Sequence, residues 1–460
     1  MAKLDGPSLA TLVLARYMVD PYGVFPALFA RHGDPFHLPL PGSRGTIVTG
    51  HPDGVRAIIG ADPDTFEPWR IEATAILLGE QSLFLQRGER HRAARKLLTP
   101  PFAVGPTRGF AGMMRELARA GFASWDRGGR VRVQDTTQTI TLSIIVRALF
   151  NAKGERAELL QRTLADGLDS LGPAILYLKF LRHEFGGYGP WARALRMVGR
   201  LRDLLLEEIA IRRAGGGPAP CHATDGARLP GAVGDILSGL VAARFDDGTG
   251  MTDVEIRDRL SDIVVAGHET SAVALSWLVE ELGRHPAVRA RLDDELQALH
   301  PDADPAEVAA LPYLDAVCQE VLRLHPPLVF LTRRVVKPLE LRGHVVEPGC
   351  GVSMAVRAVH TQPATFDDPL AFSPERFLDR SYAAHELLPF GGGAKRCIGA
   401  AFGMMELKQI AFEMLRRYEL ELVSPKPARA AARTITVCPR DGVLANVRPR
   451  TLNSSRTRAA

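Results

Sequence analysis

The segment 390–399, Phe-Gly-Gly-Gly-Ala-Lys-Arg-Cys-Ile-Gly, is where this chain is best equipped for chemistry. Three consecutive glycines let a backbone pass close to something flat or bulky, and the apolar spacing that follows predicts a helix starting just after Cys397. A cysteine so placed meets unpaired backbone N–H groups and the positive end of a helix, with Lys395 and Arg396 beside it. All of these favour thiolate over thiol, the form that attacks carbon or binds metal. A second stretch, Ala266-Gly-His-Glu-Thr270, lies inside a helix opened by a capping box at Thr252 and Glu255. Gly267 should cost that helix about 1 kcal/mol relative to alanine. Thr270 can bond back to the Ala266 carbonyl, so a bend or opening is expected there. His268-Glu269 alone suggests a zinc protease, but that motif needs a histidine three residues after Glu269, and Ala272 stands there.

Charged pairs at helical spacing come next. Glu320 and Arg323 share one face of a helix that Pro326 and Pro327 end, and Pro-Glu-Arg-Phe at 374–377 supplies Arg376. His91 and Arg95 sit four apart in a cationic helix near residue 88. Arg333 and Arg334 follow in a strand, where alternation allows only one to face inward.

In this order and combination the stretches resemble the haem-thiolate monooxygenases, the cytochromes P450. Phe390, Gly391, Gly393, Cys397 and Gly399 match the signature around the family's iron-ligating cysteine, with Lys395 where Arg or His is usual. Residues 266–270 match its oxygen-activation motif throughout. The resemblance implies a triangular, mainly α fold with a small β region, forming a single domain over residues 1–460 with haem b between two central helices. It makes Cys397 the metal ligand and gives catalytic roles to Thr270, Glu269, Gly267 and Ala266. It assigns His91, Arg95, Arg333 and Lys395 to the haem propionates, Phe390, Gly391, Gly393 and Gly399 to the cofactor loop, and Glu320, Arg323 and Arg376 to a structural network. The implied reaction inserts one oxygen atom from O2. Electrons from NAD(P)H would arrive only through a reductase and a ferredoxin or flavodoxin, because the chain has neither a Gly-x-Gly-x-x-Gly fingerprint nor ferredoxin cysteine spacing. An acidic carrier could dock by Lys395, Arg396 and Lys408.

Apolar spacing predicts helices over 110–125, 136–150, 191–213, 253–284, 287–300 and 399–418. The β-rich parts are 35–60 and 330–365, joined into one small sheet, and the helical core spans 85–325 and 399–418. A Gly- and Pro-rich connection is expected at 214–234, containing Cys221 and His222, and a frayed basic tail at 448–460. Hydrophobic residues at 46% and charged residues at 24% are globular values, so disorder and fibre are excluded. A net charge of +5 over 460 residues is too weak to argue for nucleic acid. No apolar run reaches the length of a membrane anchor, and 5 scattered cysteines without a Cys-x-x-Cys pair point to a reducing, cytoplasmic setting. A monomer is expected.

Segments 66–84 and 171–188, with Trp69, Ile76, Leu77, Leu78, Ile175, Leu176 and Leu178, are the expected pocket walls, joined by Val265, Ala266, Leu328, Val329 and Phe330. Arg70 reads as a solvated cation more than a carboxylate anchor. An apolar cavity suits a lipophilic substrate such as a fatty acid, terpenoid, steroid or polyketide. Two alternatives stay open: a peroxide-driven oxygenase on the same scaffold, and a haem-binding sensor that does not oxidise. Retention of Glu269 and Thr270 favours oxygen and external electrons over both.

Overall fold

Thr252 and Glu255 form the reciprocal capping box anticipated from their spacing, and they open a 32-residue helix, Asp253–Arg284. Residues 258–264 and 271–280 of it are buried on every side, the pattern of a helix that runs through a core and not along its edge. The computed structural model describes residues 4–39, 44–69, 72–170, 175, 181–216, 234–433 and 435–450. Helices Val133–Phe150, Pro190–Arg213, Pro312–Leu324 and Ala400–Arg417 pack on the central helix, and Val104–Phe122 backs the last of them. Their inward faces merge into one large apolar cluster that includes Met114, Ile145, Leu205, Leu275, Val317 and Phe412. The fold is mainly α, as the periodicity implied. Among the described residues no helix is long and apolar enough to cross a membrane.

A five-stranded sheet flanks the helices and is built from distant parts of the chain, as the turn pattern predicted. Phe36–Leu38 pairs antiparallel with Thr46–Thr49, which runs parallel to Gly351–Ala355. That strand pairs antiparallel with Phe330–Val335, whose other edge takes Phe66–Pro68. A second sheet was not foreseen: Leu444–Pro449 lies between Gly129–Arg132 and Tyr418–Leu422. The tail expected to fray from Arg448 is therefore held as far as Arg450, whose N–H bonds Arg417 O at 2.7 Å and whose guanidinium meets Asp293 at 2.9 Å. A hairpin, Ala430–Arg433 and Thr436–Pro439, folds back onto the central helix. Arg70, Leu176, Leu178, most of the 214–234 connection with Cys221 and His222, and residues 451–460 lie outside the described residues.

The helix assignment continues without interruption through 266–270. A Cβ at Gly267 would come within 3.2 Å of Ile145 Cδ1. The glycine thus serves the close approach of two helices.

A buried ion-pair network ties the helical part to the sheet. Arg323 donates to both carboxylate oxygens of Glu320, at 2.6 and 2.7 Å, and neither side chain has any solvent exposure. Its remaining N–H groups go to the carbonyls of His360, Pro369 and Ala371 at 2.9, 2.7 and 3.0 Å. Arg376 adds a 3.2 Å contact to Glu320, so the three residues expected to form a network do so. Arg323→Ala should cost about 3–5 kcal/mol in denaturant unfolding by stranding a buried carboxylate, and Arg376→Ala clearly less; equal losses would contradict this hierarchy.

Glu406 of Ala400–Arg417 is also buried, and burial pushes its carboxyl up to about 8 against the opposing hydrogen bond from Ser271. The folded state then holds a proton that the unfolded state releases, so this carboxyl costs stability as pH rises from its unfolded value toward 8. Glu406→Gln should gain on the wild type by up to about 1.4 kcal/mol for each pH unit in that window. A pH-independent difference in unfolding free energy would refute the assignment.

Candidate active site

The cysteine loop is shaped by glycines used where no other residue fits. Gly391 and Gly393 have φ values of +67° and +64°, and a Cβ on Gly393 would lie 2.6 Å from Ile59 O. The loop turns through Gly393–Lys395, and Phe390 O accepts from Cys397 N at 2.8 Å, which fixes the cysteine ahead of Ala400–Arg417. Cys397 is solvent-exposed by surface area, yet protein crowds it closely enough that burial pushes its thiol up. The Gly399 N–H and the guanidinium groups of Arg95 and Arg396 pull the other way.

Cations gather beside the same loop. His91 is buried, and its Nε2 has no hydrogen-bond partner; burial, then Lys395 and Arg95, push its ring down to about 4. Lys395 is pushed down to about 7 by burial and by Arg333 and Arg95. It donates to the Leu83 and Gln86 carbonyls at 3.3 and 2.8 Å. Arg333 donates to Gly392 O at 3.1 Å, and burial lowers it, as it does Arg95. Among the described residues no carboxylate forms an ion pair with any of these four. Placing Arg95, Arg333 and Lys395 together beside a neutral His91 without a counter-charge is costly, and a ligand carrying carboxylates would offset it.

Strand alternation decides between the neighbouring arginines. Arg334 points outward, pairs with Glu67 at 3.4 Å and lies 5.5 Å from the Trp69 ring. Trp69 itself lies against Gly351, the strand partner of Arg334. The pocket-wall role expected for Trp69 is thereby corrected, since the ring belongs to the outer face of the sheet. The Phe330 ring packs 4.6 Å from Phe25 and 5.1 Å from Tyr17 and keeps partial accessibility. Val329 joins that N-terminal cluster and is also removed from the wall, while Leu328 is partly accessible. Leu331, two residues before Arg333 and on its face, approaches Gly391 instead. Period-two counting from Arg333 could have found it.

Residues 265–270 are all partly accessible, although the helix is buried before and after them. That window exposes Val265, Ala266, Glu269 and Thr270 together. Thr270 Oγ1 donates to Ala266 O at 2.8 Å, the back-bond anticipated from the sequence. Glu269 forms a 3.3 Å ion pair with Arg433 of the C-terminal hairpin, which also reaches Asp169 at 3.5 Å. No sequence signal links Arg433 to Glu269, 164 positions apart by their numbers. His268 turns aside; its Nδ1 is buried without a partner, and burial and Arg433 push the ring down to about 4. Ile76 and Leu77 join Leu78, Ile175, Trp191 and Val198 in an apolar cluster against which Val265 packs. Below it, Asp262 accepts from Ser82 Oγ at 2.5 Å and Leu83 N at 2.6 Å, and Asp258 from Gln81 N at 2.9 Å. These two carboxylates, four apart on one helical face, clamp the segment that follows the apolar wall.

On the cysteine side, Lys408 is nearly buried and paired with Asp315, so it is withdrawn from the docking cations expected there. Arg396 is exposed.

Comparison with known proteins agrees with this arrangement. A sequence model of the family described as "Cytochrome P450" matches residues 7–442. "Putative cytochrome P450 135B1" of Mycobacterium tuberculosis (strain ATCC 25618 / H37Rv) is 32% identical over 451 residues, covering 96% of this chain and 91% of that protein. "Putative cytochrome P450 135A1" of the same strain is 29% identical over 426 residues, 91% of this chain and 88% of the relative. Among solved structures, the retinoic acid-bound cyanobacterial CYP120A1 superposes with a TM-score of 0.80 at 24% identity, covering 92% of this chain and 93% of that one. The cytochrome P450DA heme domain does so with a TM-score of 0.84 at 22% identity, covering 98% of both. With a family match over nearly its whole length and a relative above 30% identity that covers most of both chains, this chain belongs to the cytochrome P450 family.

Proposed function

We propose that this P450 inserts one oxygen atom from O2 into a lipophilic small molecule bound between its apolar wall and the 265–270 window, by hydroxylation or epoxidation. The observation that carries the reading is Val265, which packs on the apolar cluster of Leu77, Leu78 and Ile175 and also belongs to the accessible window. An apolar surface and the acid–alcohol pair therefore border the same space. Haem b, the family's cofactor, supplies when bound the iron chemistry that activates O2.

The residues present fit that group. Cys397 would ligate the iron as thiolate, favoured by the Gly399 N–H, Arg95 and Arg396. His91 Nε2, Arg95, Arg333 and Lys395 are donors aimed at one region with no carboxylate of their own, the complement of two propionates. Phe390, Gly391 and Gly393 supply a flat, close backbone surface. On the opposite side Thr270 holds a hydroxyl proton that Ala266 O now accepts, and Glu269 is the nearest carboxyl able to replace it. Glu269 must leave or share its contact with Arg433 to do so. Arg433 in turn meets Asp169, whose side chain is 74% exposed, so the chain of charges reaches solvent. Electrons come from a separate carrier, a ferredoxin or flavodoxin with its reductase, for which exposed Arg396 beside the cysteine loop offers a cationic contact.

The reduced protein exposed to carbon monoxide should show a strongly red-shifted Soret band, and Cys397→Ala should lose the red shift while still binding haem. A red-shifted band in that variant would remove Cys397 as ligand. With an electron-transfer chain and a turned-over lipophilic compound, Thr270→Ala and Glu269→Gln should lower product formed per NAD(P)H consumed by about 10²-fold, with peroxide released instead. Unchanged coupling in both variants, or turnover that runs on added peroxide alone, would favour the peroxide-driven alternative.

A further inference from the structure

His360 ends the short helix Val356–His360, which follows the strand Gly351–Ala355 at the centre of the large sheet. It has no solvent exposure. Both of its ring nitrogens are used: Nδ1 lies 3.0 Å from Arg323 O and Nε2 lies 2.9 Å from Leu388 N. A backbone N–H can only donate, so Nε2 must carry the lone pair, and in a neutral ring Nδ1 then carries the hydrogen that Arg323 O accepts. The contact is reciprocal, because Arg323 Nη1 donates to the His360 carbonyl at 2.9 Å. Burial and the charges of Arg323 and Arg357 push the ring down to about 3, against the hydrogen bond to the Arg323 carbonyl, which keeps it neutral and in this tautomer.

What the ring holds is the root of the cysteine loop. Leu388 is 1% exposed; its N–H goes to His360, and its carbonyl accepts from Gly391 N at 2.9 Å, closing the turn that carries Phe390. Phe390 O then accepts from Cys397 N at 2.8 Å. A continuous path therefore runs from the Glu320–Arg323 pair through one imidazole to the backbone of the sulfur-bearing residue.

We propose that His360 is a positioning residue for the iron-ligating thiolate: it fixes the Leu388–Gly391 turn against the Arg323 backbone and so sets where Cys397 is held. This rests on the assignment of Cys397 as the iron ligand. The Glu-Arg network is thus coupled to the cofactor side by a single donor–acceptor bridge as well as by packing. The bridge needs one hydrogen-bond donor and one acceptor on the same side chain. Asparagine carries such a pair, and leucine, of similar bulk, carries neither.

The test compares wild type, His360→Asn and His360→Leu as haem-loaded proteins, by the spectrum of the reduced, carbon monoxide-bound form and by the rate of haem transfer to an apoprotein acceptor. His360→Leu should move a substantial fraction of the haem from the red-shifted thiolate band to the shorter-wavelength band and speed haem loss by about 10-fold, the equivalent of one net hydrogen bond. His360→Asn should recover most of both. A His360→Leu protein with the wild-type band and haem-loss rate would overturn the proposal, because a residue that only fills the core shifts thermal stability and leaves ligation alone. Should His360→Leu fail to fold, the imidazole nitrogen resonances of the wild-type holoprotein decide: protonated Nδ1 with bare Nε2 from pH 5 to 9 supports the bridge, and protonated Nε2 overturns it. A wild type lacking the thiolate band would instead remove the Cys397 assignment itself, a failure that the variants do not share.

Discussion

Burial of one ion pair, Glu320–Arg323, constrains much of the structure around it. Two charges without solvent exposure are tolerated only if every remaining donor and acceptor is met. Arg323 meets that demand by collecting the carbonyls of His360, Pro369 and Ala371, while Glu320 takes the Ser373 N–H and Arg376. Pro369, Ala371 and Ser373 lie in the irregular stretch between the short helices Val356–His360 and Arg376–Asp379, which carry the other two partners. The pair therefore organises a stretch of chain that secondary structure leaves unsupported. His360 extends the same logic by one further residue, from the Arg323 carbonyl to Leu388.

The cysteine loop presents the opposite case. Burial lowers Arg95, Arg333 and Lys395, and among the described residues none of them has a carboxylate partner. Arg333 donates to Gly392 O and lies 5.2 Å from the Phe66 ring, while Lys395 donates to the Leu83 and Gln86 carbonyls. Folding of the scaffold and binding of a dianionic cofactor are then linked, since the ligand's carboxylates offset a cost that folding has already imposed.

Much of this was legible in the sequence because the relevant signals are local. The capping box at Thr252 and Glu255, the back-bond of Thr270, the Glu320–Arg323 spacing and the glycine run before Cys397 each depend on residues within a few positions of one another. What sequence reasoning lost was set by long-range placement. Arg433 meets Glu269 only because a C-terminal hairpin folds onto the central helix, and Lys408 is withdrawn from the surface only because Asp315 of another helix lies against it. Trp69 is apolar and near the right segment, yet which face of the sheet it occupies follows from register, fixed by the pairing of Phe66–Pro68 and Gly351–Ala355 on either side of Phe330–Val335. At Gly267 the close neighbour, Ile145, likewise comes from another helix and has no local sequence signal.

The polar groups behind the cysteine loop and those around Glu269 differ in their access to water. On the cysteine side, hydrogen bonds of 2.6–3.0 Å join groups with no solvent exposure. Breaking any one leaves a buried polar atom unpaired, which costs about 1–3 kcal/mol. Glu269, itself only 15% exposed, meets at 3.3 Å the Arg433 guanidinium, which is 37% exposed, so water reaches one partner of this pair but neither partner of Glu320–Arg323. Dry hydrogen bonds thus fix the chain behind the cysteine loop, whereas the Glu269–Arg433 contact lies at the edge of solvent.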